Sequence, residues 1–292
     1  MATVITYRSY AKINLYLDVL DRRRDGYHNI ETIFQSVSLA DELQFEDGDP
    51  RVRLACSAPE LDTAESNLVY RTAMLLKERT GYSGGARIRL EKRIPIAAGL
   101  AGGSGNAAAA LVALNALWEL RLPPRQMHAL ALELGSDVPF CTVGGTIAAT
   151  RRGEAMTRLP PVADAWFVLL HPPIAVSASR VYNSPRLEHS HERPFAGKTA
   201  SFRRAIHTLA HGELARVLFN RMESTVFATH PHLDEAKARL LEAGCSAAAM
   251  SGSGPTLFGV CANHDAARRI AESFSDYPTS VVTTVSTGIE KA

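Results

Sequence analysis

The sequence predicts a two-domain α+β protein, and three observations carry that expectation. Residues 11–19 alternate as a strand; a strand, a glycine loop and a long helix succeed one another over residues 87–120; and past residue 160 short apolar strands mix with helices without a regular βα repeat. A single core is near the limit of its growth at 292 residues, so two packed domains, 1–160 and 161–292, are expected.

In chain order, Ile13, Leu15, Leu17 and Val19 alternate with Lys12, Asn14, Tyr16 and Asp18, the pattern of a half-buried strand. Side chains alternate across a strand, so Lys12 and Asn14 share one face, about 7 Å apart along the rise. Residues 67–80 read as a helix capped by Ser66 or Asn67 and stopped by Gly81. A strand around residues 87–90 leads into Pro95-Ile96-Ala97-Ala98-Gly99-Leu100-Ala101-Gly102-Gly103-Ser104-Gly105, and an alanine-rich helix is expected from about Asn106 to Leu120. Pro123-Pro124 ends that helix and opens the next, which runs to Gly135, with Ser136-Asp137-Val138-Pro139 straight after it. Beyond Leu159-Pro160-Pro161 comes a short apolar strand, residues 166–170, and residues 185–198 form a polar loop. Helices are expected at about 201–210, 212–220 and 232–243. A strand, the turn Ser251-Gly252-Ser253-Gly254-Pro255, another strand, a helix capped by Asn263 and a last strand near 280–285 complete the chain.

Composition excludes several classes. Lysine plus arginine exceed aspartate plus glutamate by only 32 to 30, which does not advertise a nucleic-acid binder. The basic run Arg22-Arg23-Arg24 precedes Asp25-Gly26 and reads as a solvated turn. The start of the chain lacks a secretory pattern and no apolar stretch is long enough to span a bilayer, so a cytoplasmic protein without a membrane partner is expected. Cys56, Cys141, Cys245 and Cys261 show no CxxC spacing and read as buried free thiols. Charge and composition leave a monomer or a homodimer equally open.

The strongest chemical signal is the loop 99–105, four of whose seven residues are glycine, running into a helix start. Such a start carries unpaired N–H groups and about half a positive charge, and glycines let backbone close on an anion, so phosphate is the expected guest. Asn106 follows Gly105 where a Walker A loop needs lysine, and a Rossmann fingerprint lacks its βαβ surroundings. Taken singly, Asp137 reads as a cap, Lys12 as a solvated strand lysine and His28 as a surface histidine. His207 and His211 lack the glutamate of a zinc-protease helix, and neither Ser104 nor Ser253 sits in a nucleophile elbow.

In order, Ala11-Lys12-Ile13-Asn14-Leu15, Asp25-Gly26-Tyr27-His28, the 95–105 loop with Asn106-Ala107-Ala108, Leu134-Gly135-Ser136-Asp137-Val138-Pro139 and Met250-Ser251-Gly252-Ser253-Gly254 resemble the GHMP small-molecule kinases over nearly the whole chain. The glycine loop and C-terminal glycine turn are shared by that family. The Lys-x-Asn, Asp-Gly-Tyr-His and Gly-x-Asp-Val-Pro segments point to its branch acting on 4-diphosphocytidyl-2-C-methyl-D-erythritol. The resemblance implies an N-terminal domain like ribosomal protein S5 domain 2, a ferredoxin-like C-terminal domain, and ATP with Mg2+ as cofactors. It implies that ATP lies against Pro95, Ile96, Ala97, Ala98, Gly99, Leu100, Ala101, Gly102, Gly103, Ser104 and Gly105. Asp137 resembles the base that takes the proton of the substrate's 2-hydroxyl, and Lys12 its charged partner. Asn14 is implied near the methylerythritol hydroxyls, Tyr27 and His28 at the cytosine, and Tyr182 as a second aromatic wall. Three departures stand out: Gly-Leu-Ala-Gly-Gly-Ser-Gly replaces the common Gly-Leu-Gly-Gly-Gly-Ser-Ser, Ala178 replaces a common threonine, with Ser177 or Ser179 as stand-ins, and Gly254-Pro255 lacks a backbone N–H.

Overall fold

The computed structural model describes residues 3–292. Two 19-residue antiparallel strands, β1 (Val4–Arg22) and β2 (His28–Glu46), form the spine of a first sheet. The chain continues through β3 (Val52–Cys56), α1 (Leu68–Thr80), β4 (Ala86–Glu91), α2 (Gly102–Leu117), α3 (Pro124–Leu134), α4 (Val138–Val143), β5 (Thr146–Arg151) and β6 (Ala155–Arg158). Its second half holds β7 (Trp166–Leu170), α5 (Ala178–Tyr182), α6 (Ala200–Ala210), β8 (Phe219–Asn220), α7 (Glu223–Phe227), α8 (Pro231–Glu242), β9 (Ala247–Met250), β10 (Leu257–Cys261), α9 (His264–Glu272), β11 (Thr279–Thr283) and β12 (Ile289–Lys291).

The first sheet runs β12-β1-β2-β4-β3, with β5 beside β2, β6 beside β5 and β8 beside β1. The second runs β11-β7-β10-β9 through antiparallel pairs. In chain order that is fourth-first-third-second, with helices after the first and third strands, so the C-terminal half is ferredoxin-like as expected. Two strands from the second half, β8 and β12, complete the first sheet.

Helices α1 to α4 cover one face of the first sheet around Phe45, Leu76, Leu111 and Phe140. Its other face packs Ile13 and Leu15 against Phe167, Phe202 and Phe258 from the second half. Residues 11–19 are therefore buried on both faces, not half-buried as their alternation suggested. Of the polar members, Lys12 and Asn14 line a cleft, Tyr16 packs against Phe202 and Phe219, and Asp18 pairs with Arg221. A further core joins the second sheet to α8 and α9 around Leu233, Leu240 and Ile270.

Two elements differ from expectation. Helix α2 starts at Gly102, four residues before Asn106, and ends at Leu117. Three glycines disfavour a helix locally, but tertiary contacts fix the start. The Ser9 hydroxyl donates to Asn106 Oδ1 at 2.6 Å, and a Cβ on Gly102 would stand 3.0 Å from Ile94 Cγ2. Residues 212–220 form one 3-10 turn (Leu214–Arg216) and β8 in place of a helix. There Asn220 Nδ2 donates to the carbonyls of Met250 and Gly252, both at 2.7 Å, tying β8 to the glycine turn. Among the described residues no helix is long and apolar enough to cross a membrane.

Candidate active site

A cleft of about 1030 Å³ opens between the two halves, lined from the first by Lys12, Asn14, Tyr27, His28, Ser104 and Asp137, and from the second by Ser177, Tyr182 and Gly252. A second cavity of about 320 Å³ lies behind the glycine loop, lined by Asn67, Leu68, Lys92, Pro95 through Ser104 and Asn106. The two share Ala97, Gly99, Ala101 and Ser104, so the loop is the wall between them.

That wall is built to receive an anion. Ala97, Gly99 and Ala101 all hold positive φ, at 52°, 74° and 56°, and the chain then turns directly into α2. The N–H groups of Gly102, Gly103 and Ser104 have no hydrogen-bond partner among the described residues; that of Gly105 is the first to be paired, with Ala101 O at 2.8 Å. Three free donors at the positive end of a 16-residue helix attract phosphate. Gly105 is the one member of the expected loop that lines neither cavity. It faces β1, where a Cβ would stand 3.3 Å from Ser9 Oγ.

β1 supplies the cation. Lys12 is 4% exposed, and its Nζ donates to Asn14 Oδ1 at 2.7 Å and to Gly99 O at 2.9 Å. Asn14 Nδ2 in turn donates to Thr32 Oγ1 at 2.8 Å, and that hydroxyl to Tyr16 O at 2.7 Å, so β2 orients the amide and the amide orients the ammonium. An ammonium has three protons, which leaves one for a ligand. Burial pulls the Lys12 pKa below the ordinary lysine value, and the charge of Asp137 works the other way. Asp137 stands at the N-cap of α4, half-buried, and its carboxylate makes no hydrogen bond or ion pair among the described residues. It shares the cleft with Lys12 without a direct ion pair, so the two act on each other through the field across the cleft.

An aromatic cluster forms the other end. The His28 ring is 6% exposed and stacks with Tyr182, at 5.2 Å between centroids and 24° between planes, and with His189, at 5.4 Å and 13°. Burial lowers the His28 pKa, and the nearby His189 and Arg22 lower it further. Tyr27 sits at the rim, 53% exposed, under the Arg152 guanidinium at 4.7 Å. Ser177 caps α5 by accepting from Arg180 N at 3.4 Å, and Ser179 Oγ accepts from Asn183 Nδ2 at 3.4 Å; both line the cleft beside Ala178.

Three cations escaped sequence reasoning. Arg22 ends β1 and lines the cleft with Nη2 donating to Asn183 Oδ1 at 3.3 Å, although its run reads as a solvated turn. Arg152, in the β5–β6 turn, had no signal beyond composition. Lys92 pairs with the fully buried Asp41 at 2.8 Å, and Asp41 Oδ1 also accepts from Arg93 N and Ile94 N at 2.7 and 2.8 Å. This carboxylate anchors the entry to the glycine loop, and the Lys92 immediately upstream of the loop was its one visible sign.

Comparison with known proteins identifies the family. The GHMP kinases N terminal domain matches residues 67–145 and the GHMP kinases C terminal domain residues 202–279. The chain is 43% identical over 284 residues to 4-diphosphocytidyl-2-C-methyl-D-erythritol kinase of Moorella thermoacetica, covering 96% of this chain and 98% of that one. To the enzyme of the same name from Enterococcus faecalis it is 43% identical over 267 residues, covering 91% and 93%. A crystal structure of 4-(cytidine 5'-diphospho)-2C-methyl-D-erythritol kinase superposes with a TM-score of 0.77 at 36% identity over 97% of this chain and 99% of that one. Homoserine kinase from Cytophaga hutchinsonii, at 20% identity and a TM-score of 0.75, shares the fold. The chain belongs to the 4-diphosphocytidyl-2-C-methyl-D-erythritol kinase family of the GHMP kinases.

Proposed function

We propose that this ATP-dependent kinase transfers the γ-phosphate of ATP to the 2-hydroxyl of 4-diphosphocytidyl-2-C-methyl-D-erythritol, in the methylerythritol phosphate route to isoprenoid precursors. One observation carries the reading: Asp137, Lys12 and Ser104 at the start of α2 line a single cleft whose far end is the His28 and Tyr182 stack, while Gly102 and Gly103 line the smaller cavity across the same loop. The two domains, 1–160 and 161–292, close that cleft from either side. ATP occupies the smaller cavity with its phosphates on Gly102, Gly103 and Ser104. Asp137 accepts the proton of the attacking hydroxyl, and Lys12 balances the charge that develops as oxygen meets phosphorus. Phosphoryl transfer asks little covalent chemistry of the protein, so positioning and electrostatics suffice. Asn14 spends both ends of its amide on Lys12 and Thr32, so its main work is to aim the ammonium. Among the described residues no cluster of histidine, cysteine or carboxylates could hold a metal ion, so magnesium would come in on the nucleotide, with Ser104, which lines both cavities, as the hydroxyl that would approach it; when bound, the ion would neutralise phosphate charge.

Homoserine or mevalonate as substrate would leave the aromatic end of the cleft without a ring to meet. An ATP-to-ADP assay with the cytidyl compound beside homoserine and mevalonate tests the substrate: turnover of either alternative alone overturns it. For the mechanism, Asp137→Asn is expected to lower kcat by roughly 10² to 10⁴, the scale of a lost general base, while ATP still binds. Unchanged turnover in that variant removes Asp137 from the role.

A further inference from the structure

The imidazole of His28 is buried, lines the cleft, and has neither ring nitrogen hydrogen-bonded among the described residues. Two rings stack against it, Tyr182 and His189. With both in place the ring is 6% exposed, so it meets a ligand through its edge, where the two nitrogens are. Hydrogen bonding is far more sensitive to angle than stacking, and the edge must be held. Tyr182 comes from α5 and His189 from the polar loop between α5 and α6. That loop is tied down next to the stack: Ser190 N donates to Val19 O of β1 at 2.7 Å. β1 and β2 pair at this end through Arg22 and His28, so the anchor and the clamped ring belong to one hairpin.

We infer that His189 is a positioning residue for base recognition: it stacks on His28 and so helps fix the edge that reads the nucleobase of the substrate. The inference rests on the cytidyl reading of the cleft given above. His189 itself is exposed and touches no reacting group, so its influence passes through His28. Its removal frees the buried ring to tilt. An aromatic pair of this kind contributes about 0.5–1.5 kcal/mol, which corresponds to about a 2- to 12-fold effect on binding.

Steady-state kinetics on the full-length enzyme test this. His189→Ala is expected to raise KM for the cytidyl substrate about 3- to 10-fold while kcat and the KM for ATP stay within about twofold. His189→Phe restores a stacked ring and is expected to recover wild-type KM to within about twofold. In a His28→Ala background, His189→Ala is expected to add nothing, because the ring it holds is gone. An unchanged KM in His189→Ala, a failure of phenylalanine to rescue, or a full additive effect in the double variant each overturns the inference. A uridyl analogue assayed on the wild type separates the two claims. If the wild type does not discriminate the bases, the cytidyl reading of the cleft fails; if it discriminates and His189→Ala does so equally well with the same KM, only the role of His189 fails.

Discussion

Ala101 occupies the position where the glycine loop turns into α2, at φ 56° and ψ 28°. That left-handed conformation costs an L-residue about 1–2 kcal/mol, which is why glycine is common there. Ala101→Gly removes the cost and gives back about 0.4–1 kcal/mol through the freer unfolded chain. The balance is a gain of about 0.5–1 kcal/mol, or about 1–4 °C in Tm, and a thermal melt reads it directly. A lower Tm would mean that the surroundings, and not the backbone preference, hold this residue. Part of the proposed site was legible for a related reason. Strand period put Lys12 beside Asn14, and a glycine-rich helix start announced an anion site. Arg22 and Arg152 were not legible, since a turn arginine facing water and one facing a cleft have the same local sequence.

At the scale of elements, the junction of β2 with α6 is a buried carboxylate cap. Thr199 accepts from Phe202 N at 3.1 Å, as an N-cap should, while its own N–H donates to Glu31 Oε1 at 2.7 Å and its hydroxyl donates to Glu31 Oε2. Glu31 is fully buried, and burial raises its pKa from the usual 4.5, with the two Thr199 bonds opposing. A raised carboxyl pKa means that the folded state holds the proton more tightly than the unfolded one. The resulting stability is fully present below the ordinary value and is lost as pH rises through the folded value. Glu31→Gln keeps the shape without that loss. Its Tm is therefore expected to improve relative to wild type as pH rises above about 4.5, measured by thermal melts from acid to neutral pH. A difference that moves the other way would show that the ionised form is the one the fold prefers. Helix α6 itself was legible from its pattern, as were α1, α3, α8 and α9. The start of α2 and the β8 segment were not, because the Ser9–Asn106 and Asn220–Gly252 bonds that set them connect positions 97 and 32 residues apart. Glycine content and apolar spacing report only on neighbours along the chain.

Across the whole molecule the two halves meet backbone to backbone. The carbonyl of Gly99 accepts from Lys12 Nζ at 2.9 Å and from Ser251 Oγ at 3.0 Å, so one oxygen joins β1, the glycine loop and the C-terminal turn. Gly99 holds φ 74°, and a Cβ there would stand 2.1 Å from Ser251 O. Main-chain oxygen cannot yield as a flexible side chain can, so Gly99→Ala must push the halves apart while straining its own backbone. Overpacking at about 1–3 kcal/mol and the left-handed cost of about 1–2 kcal/mol sum to about 3 kcal/mol, and a fall of roughly 6–12 °C in Tm follows. Turnover should fall as well, because the carbonyl that aims Lys12 moves with the loop. Ser251→Ala provides the contrast: it removes one hydrogen bond, about 1 kcal/mol, and leaves the Lys12 contact and the backbone spacing in place. Thermal melts and kcat for both variants decide between wedge and hydrogen bond. If Gly99→Ala proves no worse than Ser251→Ala on either measure, the cleft does not depend on the close approach of these two turns.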